Sequence, residues 1–378
     1  MPASKVYFTD MRTKIGESLL VKMDRLIRKA GIEEIDFEKK FTAIKIHFGE
    51  PGNLAFLRPN FAKTLADRIK KLGGMPFITD CNTLYAGRRN NALLHLEAAA
   101  ENGYSVQTTG CQNIIADGLR GTDEVEVPVK GGVLCKTALI GRAIMDADIV
   151  VSLNHFKGHE GSGFGGAIKN IGMGSGSRAG KMIMHNEGKP KVNAEKCIGC
   201  KICLRFCAHD AIKFSGSNAA TKTAGKATID NARCVGCGHC IGACSKNAIH
   251  NRWDSSSAAM SKKMAEYCMA VLDGRPNFHI NVVIQVSPFC DCHDESDIAI
   301  VPDIGIFAGF DPVALDMACF DAVNAAPVMA SSLLSERKRK DGVDHFTTIH
   351  PETDWHVQLS HAGKIGLGTT EYELIKVK

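Results

Sequence analysis

Ala147-Asp-Ile-Val-Val-Ser-Leu153 is a nearly continuous apolar run near the middle of the chain. A strand with one face in water alternates apolar and polar side chains, and this run does not alternate. It is typical of a central strand that is buried on both faces of a parallel sheet. The segment therefore predicts a sheet that carries helices on both sides.

Strand-like and helix-like segments alternate outward from this run in both directions. The expected strands are Lys5–Thr9, Thr42–His47, Met75–Thr79, Tyr104–Thr108, Ile280–Ser287, Ile300–Phe307 and a last one within Glu371–Lys378. The expected helices are Ile15–Lys29, Pro59–Leu72, Asn90–Asn102, Ser255–Leu272 and Pro312–Val323. Such alternation predicts an α/β fold with a mostly parallel sheet covered by helices.

Two matched cysteine runs interrupt this pattern. They read C-I-G-C-K-I-C-L-R-F-C at 197–207 and C-V-G-C-G-H-C-I-G-A-C at 234–244. Each has the bacterial ferredoxin spacing, in which three close thiolates bind one [4Fe–4S] cluster and the fourth cysteine binds the other. The predicted ligands are Cys197, Cys200, Cys203 and Cys244 for the first cluster, and Cys234, Cys237, Cys240 and Cys207 for the second. Zinc ribbons fit less well, because they use two C-x-x-C pairs.

The position of the runs predicts the domain organisation. Residues 1–190 and 252–378 are expected to form one discontinuous α/β domain, and residues 191–251 an inserted small α+β dicluster ferredoxin-like domain. Between the runs, Ser215–Gly225 has the composition of an exposed loop or hairpin. The charged stretch Ser335–Asp341 is expected to be a solvated helix end.

Polar clusters follow four of the expected strands. They are His47–Glu50, Asp80–Thr83, Asn154–His159 and Pro288–Asp294. Ligands of open parallel sheets bind beyond the carboxyl ends of the strands, so we expect a site at that edge. The candidate catalytic residues are His155, Lys157, His159, Lys169, Cys290 and Cys292. Two imidazoles beside a lysine can bind a metal or transfer protons near an anion; a loop whose histidines bond backbone carbonyls is the alternative.

The stretch Gly161–Gly180 contains eight glycines. Glycine lets backbone N–H groups approach an anionic cofactor or ligand closely. The candidate cofactor-binding residues are Gly165, Gly166, Lys169, Asn170, Gly172 and Arg178. The stretch matches neither the Walker loop nor the dinucleotide fingerprint. The alternative, that glycine only gives room to pack against the insert, stays open.

Cys290 and Cys292 place two thiols on one side of an extended chain. They are candidates for an additional metal site with histidines, for which His47 and His293 are the extra candidate ligands. They are equally candidates for a redox-active or covalent-catalysis site. A pair of half-buried cysteines in a turn is the third interpretation, and all three stay open.

Composition excludes some partners. The chain has 46 basic and 41 acidic residues, a net charge of +5, and no Lys/Arg tract of the kind that binds nucleic acid. It has no apolar run of membrane-spanning length and no apolar leader after Met1, so no membrane partner is expected. Oxygen-sensitive clusters and seven further cysteines indicate a reducing cytoplasm.

Several motifs together resemble one known family. They are K-I-H-F-G-E at 45–50, N-H-F-K-G-H at 154–159, G-G-A-I-K-N-I-G-M-G at 165–174, the two cysteine runs, and D-P-V-A-L-D at 311–316. The chain resembles the uncharacterised iron–sulfur family known as domain of unknown function 362. The resemblance implies a ferredoxin-containing, mainly prokaryotic and often anaerobic protein, and it implies no reaction.

The function expected from these features is that of an iron–sulfur oxidoreductase. It would pass single electrons between a redox partner protein, two [4Fe–4S] clusters, and an anionic ligand or metal site at the strand ends. Two alternatives stay open. One is a ferredoxin-type carrier or scaffold that docks a partner oxidoreductase, and the other is a non-redox lyase or isomerase whose clusters are structural.

Overall fold

The structure, a computed structural model, describes residues 2–85, 87–185, 189–207, 209–215, 225–234, 236, 238–250, 256–337 and 341–378. Its strands are β1 (Ser4–Asp10), β2 (Phe41–Lys45), β3 (Met75–Asp80), β4 (Asn113–Ile115), β5 (Glu124–Pro128), β6 (Thr137–Gly141), β7 (Ile149–His155), β8 (Lys157–His159), β9 (Gly163–Gly165), β10 (Lys191–Val192), β11 (Ile212–Ser215), β12 (Lys226–Ile229), β13 (Ile249–His250), β14 (Asn277–Val283), β15 (Gly305–Gly309) and β16 (Tyr372–Lys376).

The α-helices are α1 (Leu19–Lys29), α2 (Pro59–Lys71), α3 (Ala92–Glu101), α4 (Val106–Thr109), α5 (Arg142–Asp146), α6 (Ala167–Ser175), α7 (Arg178–His185), α8 (Ile202–Arg205), α9 (His239–Ala243), α10 (Ser257–Leu272), α11 (Pro312–Ala325), α12 (Leu333–Glu336), α13 (His345–Ile349) and α14 (Trp355–Lys364). A short 3₁₀ turn covers Ile32–Glu34. Among the described residues, no helix combines the length and hydrophobicity that crossing a bilayer requires.

Eight strands form the central sheet in the order β16-β1-β15-β14-β7-β2-β3-β4. Strand β7 is buried along its whole length and pairs in parallel with β2 on one side and β14 on the other. Only β15 runs antiparallel to its neighbours β1 and β14 among these eight strands. The expected mostly parallel α/β sheet is confirmed, with Ala147–Leu153 contributing its central strand.

The two faces of the sheet pack against separate hydrophobic cores. Alternate residues of β7 point to opposite faces, so Val151 joins the core beneath α1 and α2. Its neighbour Val150 joins the core formed with α6, α10 and α11. Burial on both sides explains why the strand needs apolar residues at consecutive positions.

Several local features differ from those expected. The expected strand Ile300–Phe307 is a strand only from Gly305, where β15 begins. Tyr104–Thr108 was expected to be a strand, but Val106–Thr109 is the short helix α4. Ser105 and Thr108 form a reciprocal capping box there, which stabilises a helical turn over an extended chain. The small antiparallel pairs β5–β6 and β8–β9 were not expected.

The segment between β10 and β13 has small sheets of its own. Strands β10 and β13 pair antiparallel at its two ends, and β11 pairs with β12. Residues 216–224, the middle of the expected loop Ser215–Gly225, lie outside the described residues, as do 338–340 of the charged stretch after α12. The central sheet takes strands from both sides of this segment, β1–β4 and β7 before it and β14–β16 after it.

Candidate functional site

A cavity of about 690 Å³ lies at the carboxyl ends of the parallel strands. All four of the polar clusters that follow strands in the sequence contribute to its wall. The lining residues from them are His47, Glu50, Asp80, Cys81, Thr83, His155, Lys157, His159, Cys292, His293 and Asp294. The parallel register of β2, β3, β7 and β14 brings these strand ends together.

The two thiols after β14 lie side by side at this cavity. Cys290 Sγ is 2.8 Å from Cys292 Sγ. Cys290 is buried, whereas Cys292 is half-buried and lines the cavity. With His47, the pair forms a group whose three donor atoms lie within 4.8 Å of one another, and this is a candidate metal-binding group.

Cys290 Sγ accepts hydrogen bonds from several donors. Lys169 Nζ lies 2.9 Å away, and the backbone N–H of Cys292 lies at 3.3 Å. Burial alone would raise the pKa of the Cys290 thiol, but the Cys292 hydrogen bond and the Lys169 ammonium outweigh it, so this pKa is lowered. The same hydrogen bond, together with burial, raises the pKa of Cys292. The pair therefore holds one proton, with the negative charge on Cys290.

His47 approaches the pair from the end of β2. Its Nε2 is 3.4 Å from Cys292 Sγ, and its Nδ1 accepts a hydrogen bond from the Gly49 backbone N–H. Burial, reinforced by the positive charges of Arg89 and Lys157, holds the pKa of His47 well below its ordinary value, so the ring is neutral. A neutral ring that accepts at Nδ1 carries its proton on Nε2 and donates it toward Cys292.

His155 and Lys157 share one carboxylate. His155 Nδ1 lies 2.8 Å from Asp291 Oδ2, and Lys157 Nζ lies 3.3 Å from the same oxygen. His155 Nε2 also bonds the carbonyl of Ile284. Because both ring nitrogens of His155 bond acceptor oxygens, the imidazole is fixed against the loop that carries the two thiols. Metal ligation, one of the roles considered for His155, would require breaking one of these bonds.

His159 ends β8 and Glu160 begins the turn that follows, and both residues line the cavity. His159 Nδ1 accepts from the Gly161 N–H and lies 2.9 Å from Ser162 Oγ. Burial lowers the pKa of His159 to about 4, so the ring is neutral near pH 7. His293 Nε2 lies 2.8 Å from Glu160 Oε1, which links this turn to the thiol loop. The candidate metal ligand His293 is thus in an ion pair, outside the group formed by His47 and the thiols.

The glycine-rich stretch is folded and buried. At the N-terminus of α6, the N–H groups of Ala167 and Ile168 donate to the Asp316 carboxylate at 2.7 and 3.0 Å. A Cβ on Gly166 would lie 2.2 Å from Asp316 Oδ1, so glycine is required for this approach. The anion that meets this helix N-terminus is therefore a side chain of the chain itself, contributed by α11.

The other candidate cofactor-binding residues are dispersed. Asn170 lines the cavity and bonds Lys45 and Asn154. Gly172 packs against α10, because a Cβ there would lie 2.1 Å from the Met264 carbonyl oxygen. Gly165 makes room for Lys169, whose Cδ would lie 2.7 Å from its Cβ. Close approach to α10 and to Lys169, and not to the cysteine-rich segment, explains these last two glycines.

A buried charge network in the wall of the cavity was not anticipated from the sequence. Arg89 Nε donates to Glu50 Oε2 at 2.8 Å, and Arg89 also bonds Tyr85. Lys45 Nζ lies 2.9 Å from Asp80 Oδ1, and Arg89 is 3.6 Å from the other oxygen of Asp80. The sequence contains one feature that indicates this network: the adjacent arginines Arg88 and Arg89 follow the polar end of β3 within one loop.

The ferredoxin-type cysteines surround two small cavities. Cys197, Cys200, Cys203 and Cys244 line one of them. Cys207, Cys234 and Cys240 line the other, and Cys237 lies outside the described residues. In each cavity the last cysteine of one run lies with close cysteines of the other run.

Backbone N–H groups face several of these sulfurs. The N–H of Ala227 lies 3.4 Å from Cys197 Sγ, and that of Ala248 lies 3.2 Å from Cys244 Sγ. The N–H of Ala211 bonds Cys207 Sγ at 3.4 Å in the same way. Hydrogen bonds to cysteine sulfur are a feature by which proteins tune iron–sulfur clusters, so the donor set fits such a group.

The second small cavity lies next to the α/β part of the chain. Leu84, which lines the large cavity, belongs to the same hydrophobic cluster as Cys240, and Met182 of α7 completes this contact. Arg178 lies against Gly238 and Gly242 and donates to the carbonyl of Thr83, another lining residue. Arg178 therefore ties the cysteine-rich segment to the wall of the large cavity.

Solved structures similar to this chain are distant. One is the lactate racemase apoprotein from Thermoanaerobacterium thermosaccharolyticum, at 13% identity and a TM-score of 0.40, with 99% of this chain and 83% of that chain covered. Another is a protein from Thermotoga maritima, at 11% identity and a TM-score of 0.36, with 70% of this chain covered. The aligned part spans 49% of that second protein. Similarities of this size assign no reaction to this chain.

The family comparison is more specific. No curated protein matches the chain. A family model described as a domain of unknown function, DUF362, matches residues 42–321, which include the sheet edge, the glycine-rich stretch, both cysteine runs and the thiol pair. Because the match spans well over half of the sequence, the chain belongs to the DUF362 family.

Proposed function

We propose that this protein is an iron–sulfur redox enzyme that exchanges single electrons between a partner protein and a ligand bound in the large cavity. Two [4Fe–4S] clusters would be held by the cysteines of the two runs within a ferredoxin-like insert at 191–251. When bound, such clusters supply one-electron transfer. The residues of the α/β part would then bind the ligand and manage its protons.

The observation that carries the proposal is the crossed grouping of the cysteines. Cys244 lies with the close cysteines of the first run, and Cys207 lies with those of the second. A zinc ribbon takes its four ligands from two C-x-x-C pairs, so it does not explain why the last cysteine of one run lies with the other run. Backbone donors at Cys197, Cys207 and Cys244 add support.

The surface around the first group of cysteines suits an electron partner. Cys200 and Ile198 are exposed there, and the exposed Lys201 and Lys246 line the same small cavity. Residues 191–251 carry nine Lys and Arg against three Asp and Glu, so this segment is far more basic than the chain as a whole. Complementary charge speeds protein association, so the partner is expected to be a small acidic electron carrier.

The position of the second group suits transfer toward the cavity. Its cluster of apolar side chains includes Leu84, which also lines the large cavity, and Arg178 connects its loop to the carbonyl of the lining residue Thr83. The cavity volume of about 690 Å³ is in the range of small-molecule sites. The first group would thus be the solvent-facing entry and the second group the inner relay.

The test is electron transfer in the anaerobically purified protein. Clusters reduced with dithionite are mixed with candidate small-molecule acceptors, and reoxidation is followed by absorbance. Lys157→Met and His155→Gln are expected to slow reoxidation by acceptors that bind in the cavity while leaving reoxidation by a large protein carrier unchanged. Unchanged rates with every small acceptor would overturn the site assignment and leave a carrier or scaffold as the function.

A second arm tests the crossed ligand sets. Cys244→Ser and Cys200→Ser are expected to perturb the same cluster, whereas Cys207→Ser perturbs the other, as read from the electron paramagnetic resonance spectrum of the reduced protein. Identical spectra for all three variants would contradict the crossed grouping.

A further inference from the structure

We propose that Cys290 and Cys292 form a redox-active dithiol that reduces a small-molecule disulfide bound in the large cavity. The thiol chemistry stands on the geometry of this pair alone. Only the source of the electrons that regenerate the dithiol rests on the function proposed above.

The arrangement of donors around the two sulfurs is the basis for this proposal. Lys169 Nζ, at 2.9 Å, and the Cys292 N–H, at 3.3 Å, both donate to Cys290 Sγ. The Nε2–H of His47 faces Cys292 Sγ at 3.4 Å. Each sulfur thus has a donor positioned to stabilise negative charge, which is the environment that makes a thiol reactive.

The same contacts favour a thiolate over a bound metal ion. A cation shared by the two sulfurs would lie close to the Lys169 ammonium, which already contacts Cys290 Sγ. His47 could bind that cation through Nε2 only by losing the proton there, and Nδ1 is already an acceptor for the Gly49 N–H. A metal therefore requires rearrangement of both groups, whereas a thiolate requires none.

The sulfurs differ in access, and this difference assigns their roles. Cys292 lines the cavity, while Cys290 is only 1% exposed and lies behind it, 2.8 Å away. Cys292 is therefore the sulfur that can reach a ligand. Cys290, which holds the negative charge, is placed to take the Cys292 proton as attack begins.

The reaction balances in two exchange steps. Cys292 loses its proton to Cys290 and attacks one sulfur of a disulfide R–S–S–R, so that a Cys292–S–S–R bond forms and RS⁻ leaves. Cys290 then attacks Cys292 Sγ, a Cys290–Cys292 disulfide forms, and the second R–S group leaves with the proton as RSH. Two single electrons and one proton return the pair to its thiol–thiolate state, and the clusters proposed above are the one-electron donors.

The loop that carries the pair is held firmly against the rest of the site. Asp291 lies between the cysteines and pairs with His155 and Lys157, and its backbone carbonyl accepts from the Glu50 N–H. Gly158 of β8 allows the loop to approach, because a Cβ there would lie 2.2 Å from the Pro288 carbonyl oxygen. These contacts fix the two sulfurs relative to the cavity without involving either thiol.

The experiment is a thiol–disulfide titration of the full-length, anaerobically purified protein. It is equilibrated with mixtures of reduced and oxidised glutathione, quenched in acid, alkylated differentially and digested for mass spectrometry. The peptide bearing Cys290 and Cys292 is expected to convert to an internal disulfide as a two-electron couple. Cys111, which is buried elsewhere in the fold, serves as the internal control and stays reduced.

Two variants test the order of the steps. Cys290→Ser is expected to accumulate a mixed disulfide of Cys292 with glutathione, because the resolving thiol is gone. Cys292→Ser is expected to lower glutathione incorporation at Cys290 at least tenfold, because the remaining sulfur does not reach the cavity.

Two results would overturn the proposal. One is a peptide that stays fully reduced at every glutathione ratio. The other is zinc or iron bound in excess of the clusters and lost in Cys292→Ser, as measured by elemental analysis of the same samples. A disulfide that titrates normally in protein without iron would support the dithiol and would instead contradict the electron source.

Discussion

The ammonium group of Lys169 lies 2.9 Å from the sulfur of Cys290, and both side chains are buried. Lys169 comes from α6, and Cys290 comes from the loop after β14, so residues 121 positions apart form this pair. The Cys290 thiolate raises the pKa of Lys169 despite the burial, which alone would lower it, so the lysine stays charged. A buried cation beside a sulfur is the feature on which the chemistry of the cavity depends.

Replacing Lys169 by methionine should make the thiol pair less reactive. Loss of the ammonium removes a group that lowers the pKa of Cys290, so the alkylation profile should move toward the ordinary thiol value of about 8.5. At pH 7 a pKa that moves from about 6 to the ordinary value of about 8.5 lowers the thiolate fraction from about 0.9 to about 0.03, so we expect the rate of iodoacetamide labelling of the peptide to fall by up to about thirtyfold. Lys181→Met is the matched control, because Lys181 lines the cavity without bonding Cys290. Equal slowing in both variants would contradict the assignment.

Replacing Asp291 by asparagine should destabilise the fold. The change leaves Lys157 and the doubly hydrogen-bonded His155 buried without their carboxylate. Removing one partner of a buried ion pair costs roughly 3–5 kcal/mol in the free energy of unfolding. Urea denaturation measures this, with the exposed neighbour Asp294→Asn as the control. Similar midpoints for the two variants would show that the His155–Asp291–Lys157 group does not support the loop.

Asp316 predicts a specific dependence of stability on pH. Burial raises the pKa of its carboxyl to about 6, although Asn281 and the N–H groups of α6 oppose the shift. The folded protein therefore holds this proton more tightly than the unfolded chain does, for which the pKa is 3.8. The resulting stability is complete below about pH 4 and is lost as the pH rises through 6.

The comparison of wild type with Asp316→Asn isolates this group. The free energy of unfolding of the wild type, measured relative to the variant, should fall by about 2.4 kcal/mol between pH 4 and pH 7. Other carboxylates contribute equally to both proteins and cancel in the difference. A difference that stays constant over this range would mean that Asp316 is not the buried acid described above.

Charge reversal near the exposed cysteines should slow reduction by an acidic carrier. Lys201 and Lys246 line the first cysteine cavity and are exposed, so Lys201→Glu and Lys246→Glu change the field there without altering the ligands. We expect the association rate to fall about tenfold or more at low salt and the difference to shrink as salt is added. Stopped-flow reduction measures it, with Lys63→Glu on α2 as the control. Equal rates for all three variants would exclude this surface as the docking site.

The sequence predicted the sheet well because burial on both faces leaves a strong local signal. The apolar run that forms β7 and the start of the expected helix at Pro312, where Asp311 accepts from the N–H groups of Val313 and Ala314, are properties of neighbouring residues. The strand Tyr104–Thr108 was predicted wrongly, because the reciprocal cap of Ser105 and Thr108 gives the backbone a local alternative to a ladder.

The candidate site was predictable in its location but not in its contacts. The four polar clusters lie at strand ends, so the parallel register alone brings them to one cavity. The Asp316 contact at α6 and the Arg89–Glu50 pair join residues 149 and 39 positions apart. Such pairs depend on how helices and loops pack across the sheet, and no local pattern records them. For the same reason, the sequence left open whether the glycines serve a ligand or close packing.

Iron and acid-labile sulfide in protein purified without oxygen test the central claim most directly. The account predicts about eight irons and eight sulfides per chain, together with the signals of two reduced [4Fe–4S]⁺ clusters after dithionite treatment. A folded, colourless protein with less than about one iron per chain, or with zinc bound by the two cysteine runs, would contradict it.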